Sequence, residues 1–135
     1  MSPGNETLIE RWLRAGDAGD FDVFDECLHA DVVVHAPLGL STNGSEAEKE
    51  VWRNVLASVP DLHHDVQEVI EDGSTIAARV VVRGTLVREF AGIPATGRPF
   101  EIDQVVFAHV RDGKAEEIWE VADIGRLLSV DRPVT

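Results

Sequence analysis

The pair Asp112-Gly113 separates two long runs of strand-forming residues, Gly97 to Arg111 and Lys114 to Asp123. An Asp-Gly step in that setting is the strongest short-range signal for a β-hairpin. Side chains alternate along a strand with period two, so Glu117, Trp119 and Val121 share one face of the second run and Ile118, Glu120 and Ala122 the other. Each face mixes apolar residues with a carboxylate. A carboxyl at Glu120, set between Ile118 and Ala122 in an apolar pocket, is driven toward its neutral form by desolvation, which suits an acid or a base. A solvated sheet face is the plainer alternative.

The turn decides what accompanies Glu120. A two-residue loop pairs it with Val105 and brings Asp103 to its face, whereas a three-residue loop with Gly113 as a bulge brings Gln104 and Val106 there. The run Arg111-Asp112-Gly113-Lys114 favours the bulged form. Gln104 is then a polar pocket residue, able to donate to a carbonyl or to orient Glu120, and Val106 and Ile118 become apolar neighbours of a bound substrate.

Toward the N-terminus, Leu8, Ile9, Trp12 and Leu13 fall on one face at helical spacing over Glu6 to Ala15, with Asn5 or Thr7 as the cap and Gly16 and Gly19 as the stop. Asp20 is read as the cap of a second short helix with Phe21, Phe24 and Leu28 inward. Val32 to Pro37 reads as a first strand, with His35 near its exit, and Pro37 to Gly44 as a loop. A helix starting at Ser45 carries the stripe Val51, Trp52, Val55, Leu56 and Val59 and ends before Pro60. Strands follow over Leu62 to Glu71, with Val66 and Ile70 on one face, and over Thr75 to Leu86. Glu89 to Pro99 is a loop, and Asp123 caps a terminal helix from Ile124 to Leu128. Helices followed by consecutive antiparallel strands mean an α+β fold: a curved, mostly antiparallel sheet wrapped around the N-terminal helices. Such a sheet leaves a cone-shaped cavity for a small ligand.

The 135 residues form one domain, 1–135, without repeats or linkers. A formal charge of −13 argues against nucleic acid, which needs a basic surface, and against an anionic membrane. A small apolar substrate fits better. The lone Cys27 reads as a buried thiol, and the absence of an apolar leader makes a reducing cytoplasmic setting the expectation. Trp12, Trp52 and Phe90 could form an aromatic pocket wall, or the tryptophans could simply pack helix on sheet. Arg79, mid-strand among apolar residues, is read either as a charge partner for Glu120 and clamp on a substrate oxygen or as an exposed residue of the convex face. His35 suits a proton carrier at the cavity mouth, or else a simple backbone contact. His63 and His64 are adjacent and point to opposite faces; they make no metal site, and no metal or other cofactor is expected.

The order of elements, together with Ala30-Asp31-Val32-Val33-Val34-His35-Ala36-Pro37, Pro60-Asp61-Leu62, Arg83-Gly84-Thr85, Phe90-Ala91-Gly92-Ile93-Pro94-Ala95-Thr96-Gly97-Arg98 and Glu117-Ile118-Trp119-Glu120-Val121-Ala122-Asp123, resembles the SnoaL-like polyketide cyclase family of the nuclear transport factor 2-like superfamily. The resemblance implies a cystatin-like α+β barrel, one cavity per subunit and a homodimer joined through the sheet face. It also implies a cofactor-free intramolecular aldol condensation of a polyketide, in which the carboxyl after the family's tryptophan is acid and base. That position is Glu120, where family members usually carry Asp. The histidines that relatives often show fall here at Leu86 and Val106. The general-base Asp of the related steroid isomerases falls at Ala36, and the chain contains no tyrosine. The Arg-x-Asp of the epoxide hydrolases is missing after Arg79. A non-catalytic binding module for a small apolar ligand and an epoxide hydrolase-like activity, which would need a second pocket carboxylate, stay open as alternatives.

Overall fold

The computed structural model of the chain describes residues 6–129. Helix α1 (Leu8–Ala18) begins at Thr7, whose hydroxyl accepts from the Glu10 backbone N–H while the Glu10 carboxylate reaches back to the Thr7 N–H, a capping box. Gly19 ends it in a left-handed conformation, φ 72°. Asn5 lies outside the described residues. A 3-10 turn (Phe21–Val23) leads into the single-turn α2 (Phe24–Cys27), and Asp20 makes no side-chain cap there. Leu28, expected on the inner face of this helix, instead opens strand β1 (Leu28–His35). The loop expected after Pro37 contains a two-residue strand, β2 (Thr42–Asn43), before α3 (Ser45–Ser58). Strands β3 (His63–Asp72), β4 (Thr75–Thr85), β5 (Pro99–Arg111) and β6 (Lys114–Ala122) follow, then α4 (Ile124–Ser129).

One six-stranded sheet runs in the order β2-β1-β6-β5-β4-β3. β3 to β6 are antiparallel neighbours, as expected, but β1 joins β6 in parallel, so the sheet is mixed. Its inner face packs on α1, α2 and α3. Trp12, Phe24 and Trp52 form the aromatic centre of that contact, with ring centroids 5.8 to 6.2 Å apart in edge-on pairs. Cys27 is a buried free thiol within the same core.

Two irregularities set which side chains face inward. The β5–β6 turn is the two-residue form, since Arg111 pairs with Lys114 and both Asp112 (φ 52°) and Gly113 (φ 79°) are left-handed. The bulge expected at Gly113 lies further along instead. Val110 pairs with Ala115 but His109 with Glu117, so Glu116 is the extra residue. That single residue shifts the register by one and sets Glu120 opposite Val106 and Ala122 opposite Gln104. The inner face is thus the one expected, reached through a different device. A second bulge falls between Val66 and Glu68 in β3. It flips the strand, so Ile70 leaves the face of Val66 and stands 61% exposed on the outer side.

Candidate active site

Between the inner sheet face, α3 and α4 lies a cavity of about 150 Å³, with a lining that is apolar apart from the indole N–H of Trp52 and four polar side chains: Glu48, His64, Gln104 and Glu120. Leu38, Leu40, Phe90 and Leu127 are half-buried at its rim. Leu38 holds a left-handed backbone, φ 63°, which is unusual for a bulky residue and places its side chain at the mouth.

Glu120 enters this space from the centre of the sheet, flanked by β5 on one side and β1 on the other. It accepts no hydrogen bond and pairs with no cation among the described residues. Desolvation by the surrounding protein, with a smaller contribution from the negative charge of Glu48, pushes its carboxyl up to about 8 from an ordinary 4.5. Glu48, nearly fully buried, comes from the first turn of α3. Its Oε1 accepts from the Thr42 hydroxyl at 2.8 Å and its Oε2 from the Trp52 indole N–H at 3.0 Å. Burial pushes this carboxyl up, while the two donors act in the opposite direction. Glu48 is therefore the carboxyl equipped to hold a charge, and Glu120 the one equipped to keep a proton.

Gln104 lies on the same face one pair further along β5, and its Oε1 is buried without a partner. An unpaired buried amide oxygen is costly, and a ligand in the cavity is a natural partner for that amide. His64 projects from β3 opposite Val82, and its Nδ1 stands 2.7 Å from Asp17 Oδ1. Among the described residues no group of three or more His, Cys, Asp or Glu side chains is placed to hold a metal ion.

Of the residues singled out in the sequence, Glu120, Gln104, Trp52 and Phe90 line the cavity. The others do not. His35 is on the outer face, paired with Trp119 across the parallel strands, stacked on its ring at 5.3 Å and bonded through Nε2 to Glu117 at 2.7 Å. The cause is alternation: Val34 takes the inward position, so His35 must point out. Arg79 is likewise exposed on the outer face, 3.3 Å from Glu68, and it neither neutralises Glu120 nor reaches the cavity. Trp12 is sealed in the helix–sheet core behind Trp52. Val106 and Ile118 do face inward, but both are fully buried and pack in the core, not on the cavity surface. Sequence reading missed Glu48, His64 and Asp17. The signals were present: Glu48 precedes Trp52 by one helical turn on the apolar stripe of α3, His64 alternates with Leu62 and Val66, and Asp17 follows Leu13 by one turn.

A model of the SnoaL-like polyketide cyclase family matches residues 6–129. The aklanonic acid methyl ester cyclase DnrD of Streptomyces peucetius is 28% identical to the chain over 116 residues, 82% of this chain and 78% of its own. Among solved structures, IdmH of Streptomyces antibioticus, a candidate polyketide cyclase, superposes with a TM-score of 0.79 at 33% identity, covering 90% of this chain and 94% of that one. TsrD of Streptomyces laurentii superposes with a TM-score of 0.80 at 28% identity, over 89% and 88% of the two chains.

Proposed function

The chain belongs to the SnoaL-like polyketide cyclase family, and from that premise we propose that it closes a ring in a polyketide-like carbonyl compound, without a cofactor, using Glu120 as the acid of an intramolecular aldol condensation. The observation that carries this reading is the carboxyl itself: unpaired among the described residues, surrounded by apolar surface, and pushed by desolvation up to about 8. A ring closure of this kind needs a proton delivered to the accepting carbonyl oxygen as the carbon–carbon bond forms. A neutral carboxyl in a dry site supplies that proton where the charge develops. Gln104 stands beside it with an unpartnered amide oxygen that can accept a hydrogen bond from a substrate hydroxyl or enol. The net reaction is an isomerisation, so no atom enters or leaves and no redox partner is required.

The substrate class follows from the lining. A mostly apolar wall with a few convergent polar groups suits a flat molecule bearing several carbonyls. The DnrD relative acts, by its name, on aklanonic acid methyl ester, which makes that ester the first member of a test panel. The epoxide hydrolase alternative gains a second pocket carboxyl in Glu48, but Thr42 and Trp52 already occupy both of its oxygens, so it is poorly placed to activate water.

Replacing Glu120 by Gln keeps the shape and removes the acid. Cyclisation of carbonyl substrates by this variant should fall about 10² to 10⁴-fold, with circular dichroism and thermal unfolding unchanged in form. Turnover within a few-fold of the unaltered protein would end this reading.

The outer sheet face suits a second copy of the chain. One row runs across five strands, Ile70, Ala77, Phe107, Trp119 and His35, each residue registered with the next. Beside it Val105 and Val121 are also exposed. Most of the charged neighbours are tied up in pairs, Arg79 with Glu68, Arg83 with Asp65 and Glu101, and His35 with Glu117, while Asp103 beside Val105 is exposed and makes no ion pair among the described residues. A face that settles most of its own charges lets two acidic chains approach each other.

A further inference from the structure

A carboxyl that holds its proton can give one but cannot take one, so a condensation that starts by removing a proton from carbon needs a base elsewhere on the cavity wall. His64 occupies such a place. It sits inward at the start of β3, its side chain only 7% exposed, and lines the cavity together with Glu120. Asp17, near the end of α1, spends both carboxylate oxygens on this one residue. Oδ2 accepts from the His64 backbone N–H at 2.7 Å, and Oδ1 stands 2.7 Å from the ring Nδ1.

A carboxylate only accepts hydrogen bonds, so the ring carries a proton on Nδ1, and in the neutral imidazole the lone pair is the one on Nε2. Nε2 has no hydrogen-bond partner among the described residues. The Trp52 ring, 5.3 Å away centroid to centroid and tilted by 45°, braces the imidazole from α3. The titratable groups around it are Asp17 from α1, Glu48 from α3 and Glu120 from β6, while β4 presents Val82 and β5 the neutral amide of Gln104. Asp17 plays no part in the apolar core, and tying α1 to the backbone of β3 needs only one of its oxygens. The second oxygen serves the ring.

We propose that His64, oriented by Asp17, is the base that removes the proton from the substrate carbon, acting in the same cavity as Glu120. The inference rests on the acid–base reading of the cavity given above. The carbon–hydrogen bond next to a carbonyl breaks and its proton goes to Nε2. The electron pair left behind forms the new carbon–carbon bond to the accepting carbonyl carbon, and the oxygen of that carbonyl takes the proton of Glu120. Return of the Nε2 proton to the Glu120 carboxylate restores both groups. Asp17 is a positioning residue: it sets the tautomer and steadies the imidazolium that forms.

The test uses the full chain and 5-nitrobenzisoxazole, a flat apolar probe that reports a base alone. Loss of its ring C–H proton to a base breaks the N–O bond and leaves the electron pair on a coloured phenolate, with no acid needed. The protein should accelerate this elimination with saturation, and the rate should rise through a single ionisation. His64→Ala should lower it about 10²-fold, with partial rescue by added imidazole, and should lose that ionisation. Arg79→Ala, on the outer face and away from the cavity, should leave the rate unchanged, and Asp17→Asn should lower the rate and displace the pH profile. His64→Gln provides a variant of similar size should the alanine variant fail to fold, and quenching of tryptophan fluorescence by the probe reports that the cavity still fills. A folded His64 variant with undiminished elimination, an elimination abolished by Glu120→Gln, or a protein no faster than an equal concentration of free imidazole would each overturn the assignment. Histidine-dependent elimination in a protein that cyclises no carbonyl substrate would leave the base standing and remove the cyclase reading alone.

Discussion

At the scale of single residues, the cavity sorts two carboxyls by their hydrogen bonds. Glu48 meets two donors and Glu120 none, so of the two, both pushed up by burial, the first accommodates a charge better and the second a proton. This has a consequence for stability. The folded protein keeps the Glu120 proton up to about pH 8, whereas the unfolded chain releases it near 4.5. Folding therefore takes up a proton between those values, and the unfolded state binds fewer, so stability is highest below the lower value and declines as pH rises through the upper one. Urea unfolding at a series of pH values should show that decline from about pH 5 to 9 in the unaltered protein and a flatter profile in Glu120→Gln. Identical profiles would mean that Glu120 titrates alike in both states. The alternation around Trp119 already showed that Glu120 shares a face with apolar residues. The missing donors were not legible, because they depend on which side chains from α3 and β2 arrive nearby.

At the scale of elements, the helices and the four antiparallel strands could be read from apolar spacing and turn residues, because those signals are local. What could not be read was register. The Glu116 bulge and the irregularity between Val66 and Glu68 each displace one residue without a glycine or proline to mark them. The parallel pairing of β1 with β6 joins segments some 80 residues apart and turns His35 outward. The cavity wall also depends on how α1 meets α3. Gly16 packs against Trp52 so closely that an added Cβ would lie 2.4 Å from the indole ring. Gly16→Ala should force Trp52 to move, loosen its hydrogen bond to Glu48 and cost roughly 1 to 3 kcal/mol, measurable as a lower urea midpoint at unchanged slope. A neutral or stabilising effect would show that this contact gives way freely.

At the scale of the whole molecule, the curved sheet has two working faces. The inner one closes over the cavity, and the outer one carries an apolar row across four strands, continued by His35 on a fifth, with Val121 68% exposed beside it. No helix among the described residues is long and apolar enough to cross a membrane. A second copy on the outer face predicts a dimer in sedimentation equilibrium, converted to monomer by Phe107→Glu or Val121→Glu with the unfolding transition retained; a monomer in the unaltered protein would refute it. All of this chemistry depends on the protonation state of one carboxyl. Carbon-13 NMR of the glutamate side-chain carboxyls, with Glu120 assigned from its absence in Glu120→Gln, reads that state directly. The expected result is a midpoint near pH 8 that moves lower in Glu48→Gln, whereas a midpoint near 4.5 would contradict the account at its centre.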